Sequence, residues 1–101
     1  MTYRIRIAKP EGLSAWHRLP PWARREFRGR WPLLRQNPYR GIPGQLDVHQ
    51  YSGRFWTMRV GVYLPGGGYR GIYEVVGDEM RFLMFGPRPV AYREMGKFRR
   101  R

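Results

Sequence analysis

The sequence predicts an α+β domain made of a helical half followed by an antiparallel sheet half. Three observations lead there. Apolar residues at helical spacing run through positions 11–36, the stretch NPYRGIPG at 37–44 is dense in turn formers, and from Phe55 onward the chain reads as strands parted by glycine-bearing turns.

Each element has its own warrant. Residues 3–7, Tyr-Arg-Ile-Arg-Ile, alternate with the period of two of a half-buried strand. Leu13, Trp16 and Leu19 then fall on one helical face, until Pro20 and Pro21 interrupt it; Pro21 suits the first turn of a second helix over 21–36. Trp22, Phe27, Trp31 and Leu34 give that helix its apolar positions, with Arg24, Arg25, Arg28 and Arg35 toward solvent. Gly29 and Pro32 weaken its interior. After the break a short strand is expected at 48–51 and a stronger one at 55–63. The run LPGGG at 64–68 is unsuited to a strand interior and reads as a hairpin loop. Residues 69–76 form the next strand, Gly77 and Asp78 a tight turn, and 79–85 the last strand of a meander. From Tyr92 a short helix is expected, with about 94–101 as a basic C-terminal tail that ends frayed at Arg99, Arg100 and Arg101. The whole, 1–101, reads as one domain, with no internal repeat.

Composition narrows the function. At 101 residues, with 42% hydrophobic and 16% aromatic residues, the chain has material for one modest core. No apolar run approaches a membrane span, and MTYRIRIAKP lacks the apolar middle of a signal peptide, so the cytoplasm is the expected location. Without cysteine there is no disulfide framework and no thiolate site. His17 and His49 lack ligand spacing and read as ordinary surface residues; neither a metal nor a small-molecule cofactor is expected. Twenty Lys and Arg against seven Asp and Glu give a formal charge of +13, and Lys9 and Lys97 are the only lysines. An arginine-rich genome composition accounts for arginine over lysine better than it accounts for such an excess. A planar guanidinium matches phosphate oxygens, so the expected partner is a polyanion, nucleic acid before all. A membrane surface is disfavoured because the basic residues are spread along the chain rather than gathered on one amphipathic face.

The most informative stretch is 53–92, where Arg59, Arg70 and Arg88 recur among apolar residues and lead to Tyr92. The order of strand, two helices, Arg59-Val60-Gly61, a strand Tyr-Arg-x-Ile-Tyr-Glu-Val from Tyr69, the acidic turn at Asp78 and Glu79, an apolar strand, and Gly86, Arg88 and Tyr92 resembles the RelE/ParE superfamily of toxins of type II toxin-antitoxin systems, and its RelE-like branch in particular. The resemblance covers most of the chain. It implies the RelE-like microbial RNase fold, with an N-terminal strand and helical hairpin packed on a twisted antiparallel sheet whose other, concave face does the work. It also implies a ribosome-dependent endoribonuclease that cuts messenger RNA in the A site of the 30S subunit, and an acidic antitoxin as partner. Alternatives are a non-catalytic ribosome- or RNA-binding protein on this fold, or a gyrase inhibitor of the ParE kind. Thr57 stands where a second basic residue is common, Pro87 and Pro89 flank Arg88, and the loop over 62–67 is longer than usual.

Metal-free RNA cleavage needs a base for the 2′-hydroxyl, charge stabilisation at phosphate and an acid for the leaving oxygen. Arg70, with Arg59 beside it, suits the second task, since fixed guanidinium groups gain as charge builds in the transition state. Tyr92 among arginines is the candidate base. Arg88 is assigned to orient the phosphate or protonate the leaving group. Arg54, Trp56, Arg81, Arg93, Lys97, Arg99 and Arg100 are the expected RNA contacts, with Trp56 as a stacking surface; Trp16, Trp22 and Trp31 are expected in the core. Each assignment has a plainer counterpart: Arg59 paired with Glu74 across strands, Arg88 as a loop residue, Tyr92 as a core tyrosine.

Overall fold

Proline and glycine placement sets most of the boundaries in the computed structural model, which describes residues 2–99, with side chains through residue 96. Pro21 opens helix α2 (Pro21–Leu34) directly after α1 (Glu11–Arg18), which follows strand β1 (Arg4–Ile7). The meander is β2 (Asp47–Ser52), β3 (Phe55–Val60), β4 (Tyr69–Val76) and β5 (Glu79–Gly86), and helix α3 (Arg88–Arg99) closes the described chain. The five strands lie in the order β1-β5-β4-β3-β2. Neighbours within the meander are antiparallel, while β1 joins the β5 edge in parallel, with Arg4 opposite Glu79 and Ile7 opposite Phe82. No helix among the described residues is long and apolar enough to cross a membrane.

Alternation along the strands divides the sheet into two faces. Ile5 and Ile7, Met80, Phe82 and Phe85, Gly71 and Tyr73, and Met58 and Val60 share the face covered by α1 and α2. Phe27 of α2 is fully buried there, 5.3 Å from Phe85; Trp16 of α1 lies 5.0 Å from Phe85 and stacks on Trp31 at 5.2 Å. Phe82 and Phe85 stack at 5.2 Å and 11° because β5 is irregular beside Leu83, where Ile72 pairs with Met84 but Tyr73 with Phe82. Gly71 makes that stack possible, since a Cβ there would stand 2.9 Å from both rings. The Tyr73 hydroxyl is buried and donates to the carbonyl of Pro38, tying the turn-rich break to the sheet. Burial pushes its pKa up, with nearby Tyr39 adding to the shift.

Several boundaries depart from the sequence expectation, each for a local reason. Strand β3 ends at Val60 rather than running to Tyr63, because Gly61 turns the chain at φ +67° against the Trp22 ring. Helix α2 ends at Leu34, yet continues through Pro32; the Arg35 amide still reaches the Trp31 carbonyl at 2.9 Å. The plainer reading of Arg88 as a loop residue and the start of the C-terminal helix at Tyr92 are corrected most, and the tail expected from about 94 is helical as far as Arg99. Arg88 is the first residue of α3, Pro89 fits its opening turn, and the helix runs on to Arg99 because Ala91 and Met95, one turn apart, are both fully buried. Arg100 lies outside the described residues, as do the side chains of Lys97 and Arg99.

Candidate functional site

The second face of the sheet carries Arg6 and Arg81, Arg70 and Glu74, Thr57 and Arg59, and Asp47 and His49 on successive strands. Helix α3 packs against β4 and β5 and closes one end of this face. Its Tyr92 ring lies 5.8 Å from the Arg70 guanidinium and 5.9 Å from that of Arg88. Tyr92 also meets Tyr51 of β2 in a near-parallel stack, 4.8 Å and 7°. Strands β2, β3 and β4 and helix α3 thus bring Arg59, Arg70, Arg88, Tyr51 and Tyr92 together.

Electrostatics make this cluster unusual. Arg59 and Arg70 are direct cross-strand partners, an arrangement of like charges that destabilises a sheet unless something neutralises it. For Arg59 the neutralising group is Asp47, whose Oδ2 accepts from Nη2 at 2.8 Å. Arg70 has no ion-pair partner among the described residues. It is only 5% exposed, and its Nε and Nη1 are buried without a hydrogen-bond partner. The hydroxyl of Thr57, 2% exposed, and Nε of Arg59 are unsatisfied in the same way. A buried charge without a partner is among the most costly features a fold can retain, and four such polar atoms, on Thr57, Arg59 and Arg70, lie on this one face.

The remaining expected contacts separate into two groups. Arg54 donates to Glu74 at 2.8 Å and lies over the Phe55 ring, and Arg81 donates to Glu79 at 2.6 Å, so both already hold carboxylates. The hydrogen bond from Arg81, with Arg6 and Arg4 nearby, holds the Glu79 carboxyl below its usual range; Asp78, at 3.1 Å from Arg4, raises that guanidinium in turn. Glu74 therefore belongs to Arg54, and the expected Arg59–Glu74 pair is replaced by Arg59–Asp47. Trp56 is set apart from the arginines. It pairs in register with Tyr73 on the face toward the helices and meets Tyr39 at 5.1 Å. Arg93 is exposed on α3.

Sequence reasoning missed Asp47, His49 and Tyr51. The spacing of two along β2 was the available signal, since it places all three along one side of a strand next to Arg59. His49 Nε2 stands 2.5 Å from Asp47 Oδ1 and 3.2 Å from Arg59 Nη2. No group of three or more His, Cys, Asp or Glu among the described residues is placed to hold a metal ion.

Neither a protein-family model nor a curated protein matches the sequence. Solved structures do. A chain of the archaeal RelE-RelB complex from Pyrococcus horikoshii OT3 is 28% identical, with 87% of this chain and 97% of that chain covered at a TM-score of 0.59. The fold is that of the RelE toxins. An arginine-to-alanine double mutant of the E. coli toxin RelE, in the free state, is 16% identical and aligns over 99% of this RelE-like chain and 98% of its own, with a TM-score of 0.70. The RelB-RelE antitoxin-toxin complex from Methanococcus jannaschii supplies a third match, 19% identical over 87% and 95%, at 0.62. In this RelE-like chain α1 and α2 cover one face of the sheet, and the second face carries Arg59 and Arg70, with α3 at one end.

Proposed function

We propose that the chain is a RelE-like toxin that inhibits translation by cutting messenger RNA in the ribosomal A site without a metal. The observation that carries this reading is Arg70: a guanidinium 5% exposed, lacking a carboxylate and with two unpartnered nitrogens. A phosphate group in transit to a pentacoordinate state, with charge accumulating on its equatorial oxygens, supplies what Arg70 lacks. The 2′-oxygen forms a bond to phosphorus, the bond from phosphorus to the 5′-oxygen breaks, and a 2′,3′-cyclic phosphate and a 5′-hydroxyl result. Arg70 and Arg59 stabilise the charge, Arg88 at the opening of α3 orients the phosphate, and Tyr92 takes the 2′-proton.

Two further supports concern partners. The +13 charge favours messenger and ribosomal RNA. Two of the similar structures are complexes of RelE with RelB, and an acidic antitoxin matches the charge of this chain. Primer extension on a defined messenger RNA in a reconstituted translation mixture tests the reading. The wild type is expected to give discrete A-site cuts, and Arg70→Ala to reduce them about 10²–10³-fold. A wild type that sediments with ribosomes but leaves the messenger whole would reduce the proposal to a binding protein on a toxin fold.

A further inference from the structure

The proposed reaction needs a proton for the departing 5′-oxygen, and arginine is poorly suited to give one because it holds its proton at any accessible pH. We infer that His49 is the general acid of this site, positioned by Asp47. The inference rests on the ribonuclease reading above.

The geometry comes from β2. Asp47, His49 and Tyr51 follow one another at a spacing of two, about 6–7 Å per step, along the edge strand next to β3. Asp47 pairs in register with Arg59, which pairs with Arg70, while His49 pairs with Thr57, whose buried hydroxyl lacks a partner. Tyr51 stacks on Tyr92, the proposed base. His49 thus stands between the arginine pair and the tyrosine pair. Asp47 and Tyr51 flank it on its own strand, and Arg59 and Thr57 face it from β3.

Asp47 holds the ring by Nε2 at 2.5 Å and holds Arg59 by its other oxygen at 2.8 Å, so one carboxylate fixes both the imidazole and a phosphate ligand. Nε2 also stands 3.2 Å from Arg59 Nη2, so it is committed to the Asp47–Arg59 pair, and Nδ1 is the ring nitrogen left for a substrate oxygen. The His49 side chain is 59% exposed, as a group that must meet a substrate should be. Imidazole is the side chain that ordinarily exchanges protons near neutrality, which neither arginine nor phenol does. In the step itself Tyr92, acting as its phenolate, accepts the 2′-proton and becomes the neutral phenol as the new bond to phosphorus forms. Nδ1 of the His49 imidazolium gives its proton to the 5′-oxygen as that bond breaks, and solvent then restores both groups.

A leaving group that needs no proton separates this role from a structural one. Ribosomes are programmed with messenger carrying either an ordinary linkage or a 5′-bridging phosphorothiolate at the A-site cut, and wild type, His49→Gln and Arg70→Ala are compared across pH. His49→Gln is expected to cut the ordinary linkage about 10²–10⁴-fold more slowly, to lose the alkaline limb of the wild-type rate profile, and to cut the sulfur linkage at near wild-type rate. Arg70→Ala is expected to be impaired on both. Equal impairment of His49→Gln on the two linkages, or wild-type cutting of the ordinary one, would overturn the inference while leaving the ribonuclease reading in place. A wild type that cuts neither linkage would remove that reading and this inference with it.

Discussion

Arg70 sets fold stability against the proposed function in one side chain. Fold stability would be served by an apolar residue there, because the guanidinium lies buried beside Thr57, opposite Arg59, without a carboxylate of its own. Replacing a buried charge by an apolar side chain of similar length is often stabilising by about 1–4 kcal/mol, even when the charge is paired. Arg70→Met is therefore expected to raise the unfolding free energy of the isolated protein by about 1–3 kcal/mol, read by thermal or denaturant unfolding, and to abolish the A-site cuts proposed above. An Arg70→Met protein that is markedly less stable than wild type would mean that the guanidinium has a structural partner in solution. Arg59 should behave in the opposite way, since its removal leaves Asp47 with only His49 to answer its charge.

At the scale of elements, the identity of β4 and β5 shows what local sequence determines. The strand over 69–76 and the turn at Gly77 and Asp78 were legible because period-two apolar residues end at a glycine that adopts φ +62°. Helix α3 was legible only from Tyr92 onward. Two prolines around Arg88 read as a loop, and the helical signal rests on Ala91 and Met95, which mean little until the sheet face they cover is known. Pairing was hidden for a related reason. Whether Arg59 meets Glu74 or Asp47 depends on which residues of β2, β3 and β4 stand opposite one another, and β2 reads weakly as a strand. The partnership of Tyr51 with Tyr92 depends on both the placement of β2 and the return of α3. The same distinction between local and assembled structure gives opposite signs to one substitution. Gly71→Ala drives a methyl group to 2.9 Å from the stacked Phe82 and Phe85 rings and is expected to cost about 1–3 kcal/mol. Gly29→Ala, exposed in the middle of α2 with open space around it, is expected to stabilise by about 0.5–1 kcal/mol. A melting temperature that does not fall in Gly71→Ala would show that the packing at Gly71 has slack, and one that falls in Gly29→Ala would overturn the helix-propensity argument.

For the molecule as a whole, the distribution of charge matters more than its sum. Asp78 and Glu79 answer Arg4 and Arg81, Glu26 answers Arg30, Asp47 answers Arg59 and Glu74 answers Arg54. The acidic residues are thus largely spent on arginines beside them, and the excess of +13 rests on the rest, among them Arg70, Arg88 and Arg93. Surface pairs of this kind contribute little to stability, and an excess left over after pairing repels itself in the free protein. The proposed binding of RNA would relieve that repulsion and release counterions, so its affinity is expected to depend steeply on salt. With roughly six arginines on phosphates, the logarithm of the association constant for single-stranded RNA or for ribosomes is expected to fall with the logarithm of salt concentration with a slope near −4. Arg70→Met should reduce the steepness by about one unit, because it removes one phosphate contact without disturbing the others. Titration of wild type and variant between low and physiological salt decides the matter. A wild-type slope shallower than −1 would mean that the basic excess has little part in holding RNA, and an unchanged slope in the variant would place Arg70 away from the phosphate it is proposed to bind.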